Sequence, residues 1–123
     1  MTYIPTEHDE QTALFRWAAW EAHRYPGLEC MYAIPNGGKR DLITGAQLKA
    51  EGVKAGVPDI FLPVARGGKH GMFIELKRLK GGRASREQLQ WMDALQRLGY
   101  HCALCHGWEE ARAEILRYMT EKI

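Results

Sequence analysis

The sequence predicts an α/β fold in which helices flank a central mixed β-sheet. Apolar residues recur at helical spacing near both ends of the chain, whereas the middle alternates short apolar runs with Gly-rich turns. Two stretches, 44–47 and 85–88, have the spacing of a helix-capping box, with Thr or Ser followed three residues later by Gln. The predicted order is helix, strand, short helix, strand, strand, helix, strand and helix, which is typical of helices packed around a sheet.

The first predicted helix spans residues 7–24. Thr6 caps it, and the acids of its first turn suit the positive end of the helix dipole. A strand over 28–34 and a turn over 35–38 follow, and a short helix over 44–51 comes next. The core-facing stripe of the first helix is made of Leu14, Phe15, Trp17, Ala18 and Ala22.

Two strands joined by a tight turn form the predicted centre of the fold. The first covers residues 57–64, with Pro58 near its start, where a missing N–H is tolerated. Gly67-Gly68 supplies the turn, and residues 71–77 form the second strand.

The last third of the chain predicts a helix, a strand and a helix. Ser85 opens the first of these helices and Gly99 ends it, so that Met92, Leu95 and Leu98 face the core. A strand over 100–106 and an amphipathic helix over 108–119 complete the chain.

The length of 123 residues predicts that the chain forms one domain, which spans residues 1–123. The sequence contains no run of 18 apolar residues, so we expect no membrane span. The N-terminus does not resemble a secretory signal. Three cysteines, an odd number, argue for a reducing cytoplasm rather than a disulfide framework.

The central strands bring two carboxylates and a lysine together. Side chains alternate along a strand, so Glu75 and Lys77 share one face, and the hairpin sets Asp59 beside Glu75. Paired carboxylates in an apolar setting repel unless a cation sits between them, and a divalent metal is the natural occupant. The alternative is an Asp that begins a turn and a Glu–Lys pair that forms a solvated salt bridge.

Basic residues gather around this hairpin. Seven of the 17 lysines and arginines lie between Arg66 and Arg86, where Glu75 is the single acid. Such a concentration predicts a polyanionic partner, although a solvated loop is the alternative. The residues that we expect to contact DNA are Lys39, Arg40, Arg78, Lys80, Arg83 and Arg86.

Three other features admit two interpretations each. Gln88 is either a reciprocal helix cap or a polar support for the site, and the first-turn acids, Glu10 among them, serve at least the helix dipole. The segment 101–106 holds two His and two Cys, but no second ligand pair follows at zinc spacing. Because Cys102 and Cys105 point to opposite faces of a strand, we expect buried cysteines that bind no metal.

The residues resemble a known motif. Pro58-Asp59, a gap of 15 residues and Glu75-Leu76-Lys77 are similar to the PD-(D/E)XK nuclease motif, and the chain resembles a stand-alone VRR-NUC domain of the phage type. The resemblance covers nearly the whole chain. Its further segments are 7–11, 34–38, 52–59 and 85–91.

The resemblance implies a PD-(D/E)XK nuclease-like fold and a divalent-metal-dependent endonuclease acting on DNA. It implies that Asp59, Glu75 and the backbone carbonyl of Leu76 hold Mg²⁺ or Mn²⁺, and that Lys77 positions the attacking water. A first-helix glutamate completes such a site. We choose Glu10 for this role, with Glu7 as the alternative.

Gln88 matches a glutamine that follows the motif in related nucleases, and it is included among the catalytic residues. The aromatic residue here is Trp91, at i+3, which departs from the family pattern. Minimal members of the family resemble homodimers that cut branched DNA, four-way (Holliday) junctions especially. The competing hypotheses are a DNA-binding module that has kept the fold without catalysis and, less well supported, a thiol redox protein.

Overall fold

The computed structural model describes residues 3–35 and 42–123, and its centre is a four-stranded mixed sheet. The strands lie in the order β1-β2-β3-β4; the first two pairs are antiparallel, and β3 and β4 are parallel. The strands are β1 (Tyr32–Ala33), β2 (Ile60–Leu62), β3 (Met72–Lys77) and β4 (His101–His106). The helices are α1 (Glu7–Glu21), α2 (Leu42–Ala50), α3 (Arg86–Arg97) and α4 (Trp108–Met119), with a 3₁₀ turn at Leu28–Cys30.

The predicted fold class and order of elements are confirmed, but two strands differ from the prediction. Residues 28–34 form the 3₁₀ turn and only a two-residue strand, because Leu28 packs into the core as part of a turn rather than as an extended segment. The strand expected over 57–64 is limited to β2. Pro58 and Pro63 lie on either side of it and lack the N–H that a longer ladder needs.

Side-chain caps set the starts of α1 and α3, whereas the capping box expected at 44–47 lies inside α2, which begins at Leu42. Thr6 and Asp9 form a capping box on α1, and Ser85 and Gln88 form one on α3. The first helix ends at Glu21, three residues earlier than predicted. Leu98 was expected in the core but is 66% exposed, because it follows the last turn of α3 as the C-cap residue.

The hairpin turn between β2 and β3 is as predicted. Gly67 and Gly68 have φ values of 55° and 79°, and an antiparallel bridge joins Arg66 to Lys69 around them. A two-residue turn that matches the twist of the strands needs positive φ at both central residues. Glycine adopts positive φ without strain, which explains the glycine pair.

The two faces of the sheet bury different cores. Met72, Ile74 and Leu76 of β3 are at most 1% exposed and belong to the main core, which also contains Leu14 and Ile115. A smaller cluster on α3 and β4 contains Met92, Leu95 and Cys102, with Phe73 packed against it. The alternation of β3 therefore assigns its even-numbered residues to the main core and its odd-numbered residues to the α3 side.

No helix in the described ranges is long and apolar enough to cross a membrane. The predicted turn over 35–38 extends beyond residue 35, and Lys39 and Arg40 follow it; these positions lie outside the described residues.

Candidate active site

Asp59 and Glu75 meet where β2 begins opposite β3. Ile60 pairs with Ile74, so the antiparallel register carried back by one residue sets Asp59 opposite Glu75. The Leu76 backbone N–H donates to Asp59 Oδ2 at 2.9 Å, and the Ile34 N–H donates to the Asp59 carbonyl at 2.7 Å. The strands thus fix both the backbone and the carboxylate of Asp59.

Glu75 is a buried carboxylate with one oxygen satisfied and one left over. Its side chain is 1% exposed, and its Oε2 lies 3.5 Å from Lys77 Nζ. Gln88 Nε2 donates to the same Oε2 at 3.0 Å. The other oxygen, Oε1, is buried and has no hydrogen-bond partner. A buried, unpaired carboxylate oxygen is costly, and a cation would compensate it.

The pKa of Glu75 reflects this surrounding. Burial, and after it the neighbouring Asp59 carboxylate, raises the pKa of Glu75 to about 8, against the opposing pull of Lys77. At neutral pH this acid pair therefore keeps one proton. A divalent cation bound between the two carboxylates can take the place of that proton.

The available donors fit a hard divalent cation. Two adjacent carboxylates and the backbone carbonyl of Leu76, which lies between Glu75 and Lys77, are the oxygen donors that Mg²⁺ and Mn²⁺ accept. Within residues 3–35 and 42–123, no three His, Cys, Asp or Glu side chains gather as a metal-binding group. The carboxylates of Asp59 and Glu75 therefore form a pair, without a third acidic side chain at the same point.

Glu10 rather than Glu7 is the buried acid of the first helix. Glu10 is 3% exposed, whereas Glu7 is exposed on the first turn of α1. The Trp108 backbone N–H donates to Glu10 Oε1 at 3.1 Å, and Oε2 is buried without a partner. No hydrogen bond or ion pair in the described part of the chain joins Glu10 to Asp59 or Glu75. Glu10 lies instead by Gly107, whose N–H donates to the Lys77 carbonyl at 2.8 Å.

Gln88 fulfils both of its predicted interpretations at once. Its Oε1 accepts from the Ser85 N–H at 2.7 Å as the reciprocal helix cap, while its Nε2 donates to Glu75. Trp91, one turn further along α3, packs against the smaller cluster, and no polar contact to Glu75 is found for it among the described residues.

The family model of the VRR-NUC domain matches residues 7–109. The chain belongs to the VRR-NUC family. A solved structure titled "VRR_NUC domain protein" superposes on it with a TM-score of 0.84 at 26% identity, covering 98% of this chain and 93% of that chain. No curated protein matches it. Family membership makes this a DNA-processing domain of the nuclease type, with DNA as its substrate.

The basic loop of this VRR-NUC domain folds back onto the site. Gly82 lies so close to Lys77 that a Cβ on Gly82 would come within 3.0 Å of Lys77 Cβ. Leu79 packs still more closely on Gly107, where a Cβ would come within 2.6 Å of Leu79 Cδ2. The loop cations that were expected to contact DNA are all exposed, namely Arg78, Lys80, Arg83 and Arg86.

His106 is a residue of the site region that the sequence argument missed. It pairs with Lys77 in the parallel β3–β4 register, and its Nε2 lies 3.1 Å from the Gly82 carbonyl oxygen. His106 therefore ties the basic loop to the end of β4. The sequence does place His106 at the end of a predicted strand. It does not show that this strand runs parallel to β3 in the register that sets His106 beside Lys77.

The cysteines take no part in the site. Cys102 belongs to the smaller cluster and Cys105 to the main core, on opposite faces of β4 as predicted. Burial raises the pKa of Cys102 to about 11 and that of Cys105 to about 12, so both remain thiols near neutral pH. Cys30 is exposed.

Proposed function

We propose that this VRR-NUC domain is a divalent-metal-dependent endonuclease that hydrolyses phosphodiester bonds in branched DNA, four-way junctions in particular. One observation carries the proposal: Asp59 and Glu75 lie side by side at a strand end, Lys77 Nζ lies 3.5 Å from Glu75 Oε2, and Glu75 Oε1 is buried without a hydrogen-bond partner.

Asp59, Glu75 and the Leu76 carbonyl would hold the metal, Mg²⁺ or Mn²⁺. When bound, such an ion stabilises charge on the phosphate and lowers the pKa of a coordinated water. The raised pKa of Glu75 fits this assignment, because a metal would take the place of the proton that the acid pair otherwise keeps.

The chain's own residues have distinct tasks in this proposal. Lys77 orients the attacking water and stabilises negative charge, because its ammonium is buried and held toward Glu75. Gln88 fixes the rotamer of Glu75 through its Nε2. Glu10 supplies a further carboxylate oxygen at the edge of the site, and its other oxygen secures the start of α4.

The exposed cations of the loop would contact phosphates on either side of the scissile bond. Phosphate contacts give affinity without reading sequence, so a preference for branched DNA is a preference for shape. A four-way junction needs two symmetric cuts and this chain offers a single site, which supports a symmetric homodimer. Three free cysteines fit a reducing cytoplasm.

The test compares cleavage of labelled four-way junction, flap and linear duplex in Mg²⁺ by the wild type, Lys77→Met and Lys80→Met. We expect junction cleavage by the wild type, no cleavage by Lys77→Met, and a reduced affinity with cleavage retained for Lys80→Met. Cleavage that persists in EDTA would contradict the metal requirement. Tight DNA binding without cleavage in any divalent metal would support the alternative, a binding module that has kept the fold. Sedimentation at the mass of one chain would contradict the homodimer.

A further inference from the structure

Three tryptophans line a shallow groove between α1 and the start of α4. The groove has a volume of about 350 Å³, and its lining consists of Ala13, Arg16, Trp17, Trp20 and Trp108. Trp20 is 76% exposed, the largest exposed fraction of any large aromatic side chain among the described residues. Such exposure of a tryptophan is unusual in a protein surface, because its large apolar area is normally covered.

The groove lies beside Glu10 of α1. Glu10, Ala13, Trp17 and Trp20 follow one another at spacings of three or four residues, so they form one stripe along α1. Ten residues of helix correspond to about 15 Å. At the site end of the stripe, the Trp108 N–H donates to Glu10 Oε1 at 3.1 Å. Trp108 and the exposed Trp20 therefore line one groove, and the Trp108 backbone also binds Glu10.

Two arginines lie at the tryptophans of the groove. Arg16 lines the groove from α1, and the Arg112 guanidinium lies over the Trp108 ring, 5.3 Å from its centre. Indole faces flanked by guanidinium groups are the combination that binds single-stranded nucleic acid, because bases stack on the rings and phosphates pair with the arginines.

We propose that this groove binds the unpaired bases of a single-stranded segment of the DNA substrate. The inference rests on the proposed nuclease function, since it assigns a path to one strand of the substrate. A second copy of the chain is the competing occupant, but a groove this small is only part of the surface that a stable dimer buries.

The test measures the affinity of Trp20→Ala for a fluorescein-labelled ten-nucleotide oligo(dT) and for a ten-base-pair duplex, both in EDTA so that cleavage does not interfere. We expect Trp20→Ala to bind the single strand about five-fold to a hundred-fold more weakly, the range for loss of one stacked base. Duplex affinity should change by less than about two-fold, because paired bases cannot stack on Trp20. Trp20→Phe should restore most of the single-strand affinity, since a phenyl ring also stacks.

The matched control is Leu98→Ala, which removes an exposed apolar side chain on α3 and should leave both affinities unchanged. Unchanged single-strand binding by Trp20→Ala, or an equal loss on single strand and duplex, would overturn the proposal. Wild-type dimers that become monomers in Trp20→Ala, with single-strand affinity intact, would assign the groove to a second copy instead. Because binding is measured without metal, a failure of metal-dependent cleavage would show separately and would leave this result standing.

Discussion

The two faces of β3 differ in chemistry although they belong to the same six residues: one is apolar and the other carries ionisable side chains. On one face Met72, Ile74 and Leu76 are almost completely buried in the main core. On the other face, the ionisable side chains of Glu75 and Lys77 are also buried, and Glu75 contacts Lys77 and Gln88. Burial of the apolar face stabilises the folded state, whereas burial of the ionisable face away from water destabilises it.

The apolar face of β3 explains how the fold tolerates the site. Burying a carboxylate pair costs free energy unless a partner compensates it, so the apolar face of the same strand must supply the stability that keeps the charged face in place. Substitutions on the two faces should therefore move different observables: the charged face should control catalysis, and the apolar face should control unfolding.

The largest effect is expected for Glu75→Gln. Loss of one carboxylate from the pair removes metal binding in our proposal, and several kcal/mol of transition-state stabilisation correspond to a fall of about a thousand-fold in the single-turnover cleavage rate. The control is Glu121→Gln, an exposed acid far from β3 in sequence, which should cleave like the wild type. A Glu75→Gln rate within ten-fold of the wild-type rate would remove Glu75 from the chemistry.

On the apolar face, Ile74→Ala should lower the free energy of unfolding by about 2–5 kcal/mol, because it leaves a cavity at a residue with no exposed surface. Urea denaturation measures this change. Ile123→Ala, the same substitution at a residue that is 99% exposed, should have almost no effect. A loss below about 1 kcal/mol for Ile74→Ala would mean that the main core does not depend on this face.

The charged face should also make the stability of the metal-free protein depend on pH. The pKa of Glu75 is about 8 in the folded protein against an ordinary 4.5, so between these values the folded state keeps a proton that the unfolded state has lost. The stabilisation is complete below pH 4.5 and is lost as the pH rises through about 8. Between these two pKa values the free energy of unfolding should fall by up to about 1.4 kcal/mol per pH unit.

Urea denaturation in EDTA at several pH values between 5 and 8 measures this slope. Glu75→Gln, which has no proton to release there, should show a flatter dependence than the wild type and should be the more stable of the two at the upper end. Parallel curves for the two proteins would contradict the raised pKa of Glu75.

The smallest effect is expected at His106, which links the basic loop to β4. His106→Ala should weaken duplex binding by about two-fold to ten-fold, the value of one hydrogen bond, because the loop cations lose their fixed position. His106→Gln, whose amide can donate to the Gly82 carbonyl, should recover the affinity. Anisotropy titrations in EDTA test both variants, and equal affinities for Ala and Gln would mean that the hydrogen bond does not position the loop.

The sequence predicted most of the fold because the local signals agree with one another. The capping box at Ser85 and the glycine pair at 67–68 both set elements where they were expected. Alternation along β3 predicted which side chains share a face, and the hairpin predicted that Asp59 meets Glu75. These features depend on contacts between residues close in sequence.

The remaining features depend on long-range packing. No local pattern states that β3 and β4 run parallel in a register that sets His106 beside Lys77. The burial of Glu10 depends on the Trp108 N–H, 98 residues away. The strand expected at 28–34 fails for a related reason, since an apolar run predicts burial equally well for a turn packed on the core.

Gln88 joins the beginning of α3 to the acid pair, because one end of its amide accepts from Ser85 and the other donates to Glu75. The oxygen and the nitrogen of the amide are thereby distinguished, because a flipped amide would lose both hydrogen bonds. A disturbance of the Glu75 carboxylate can consequently reach the Ser85 N–H through three heavy atoms, the Nε2, Cδ and Oε1 of Gln88. The amide resonance of Ser85 is thus a built-in reporter, and its chemical shift should register occupancy of the acid pair without any label being introduced there.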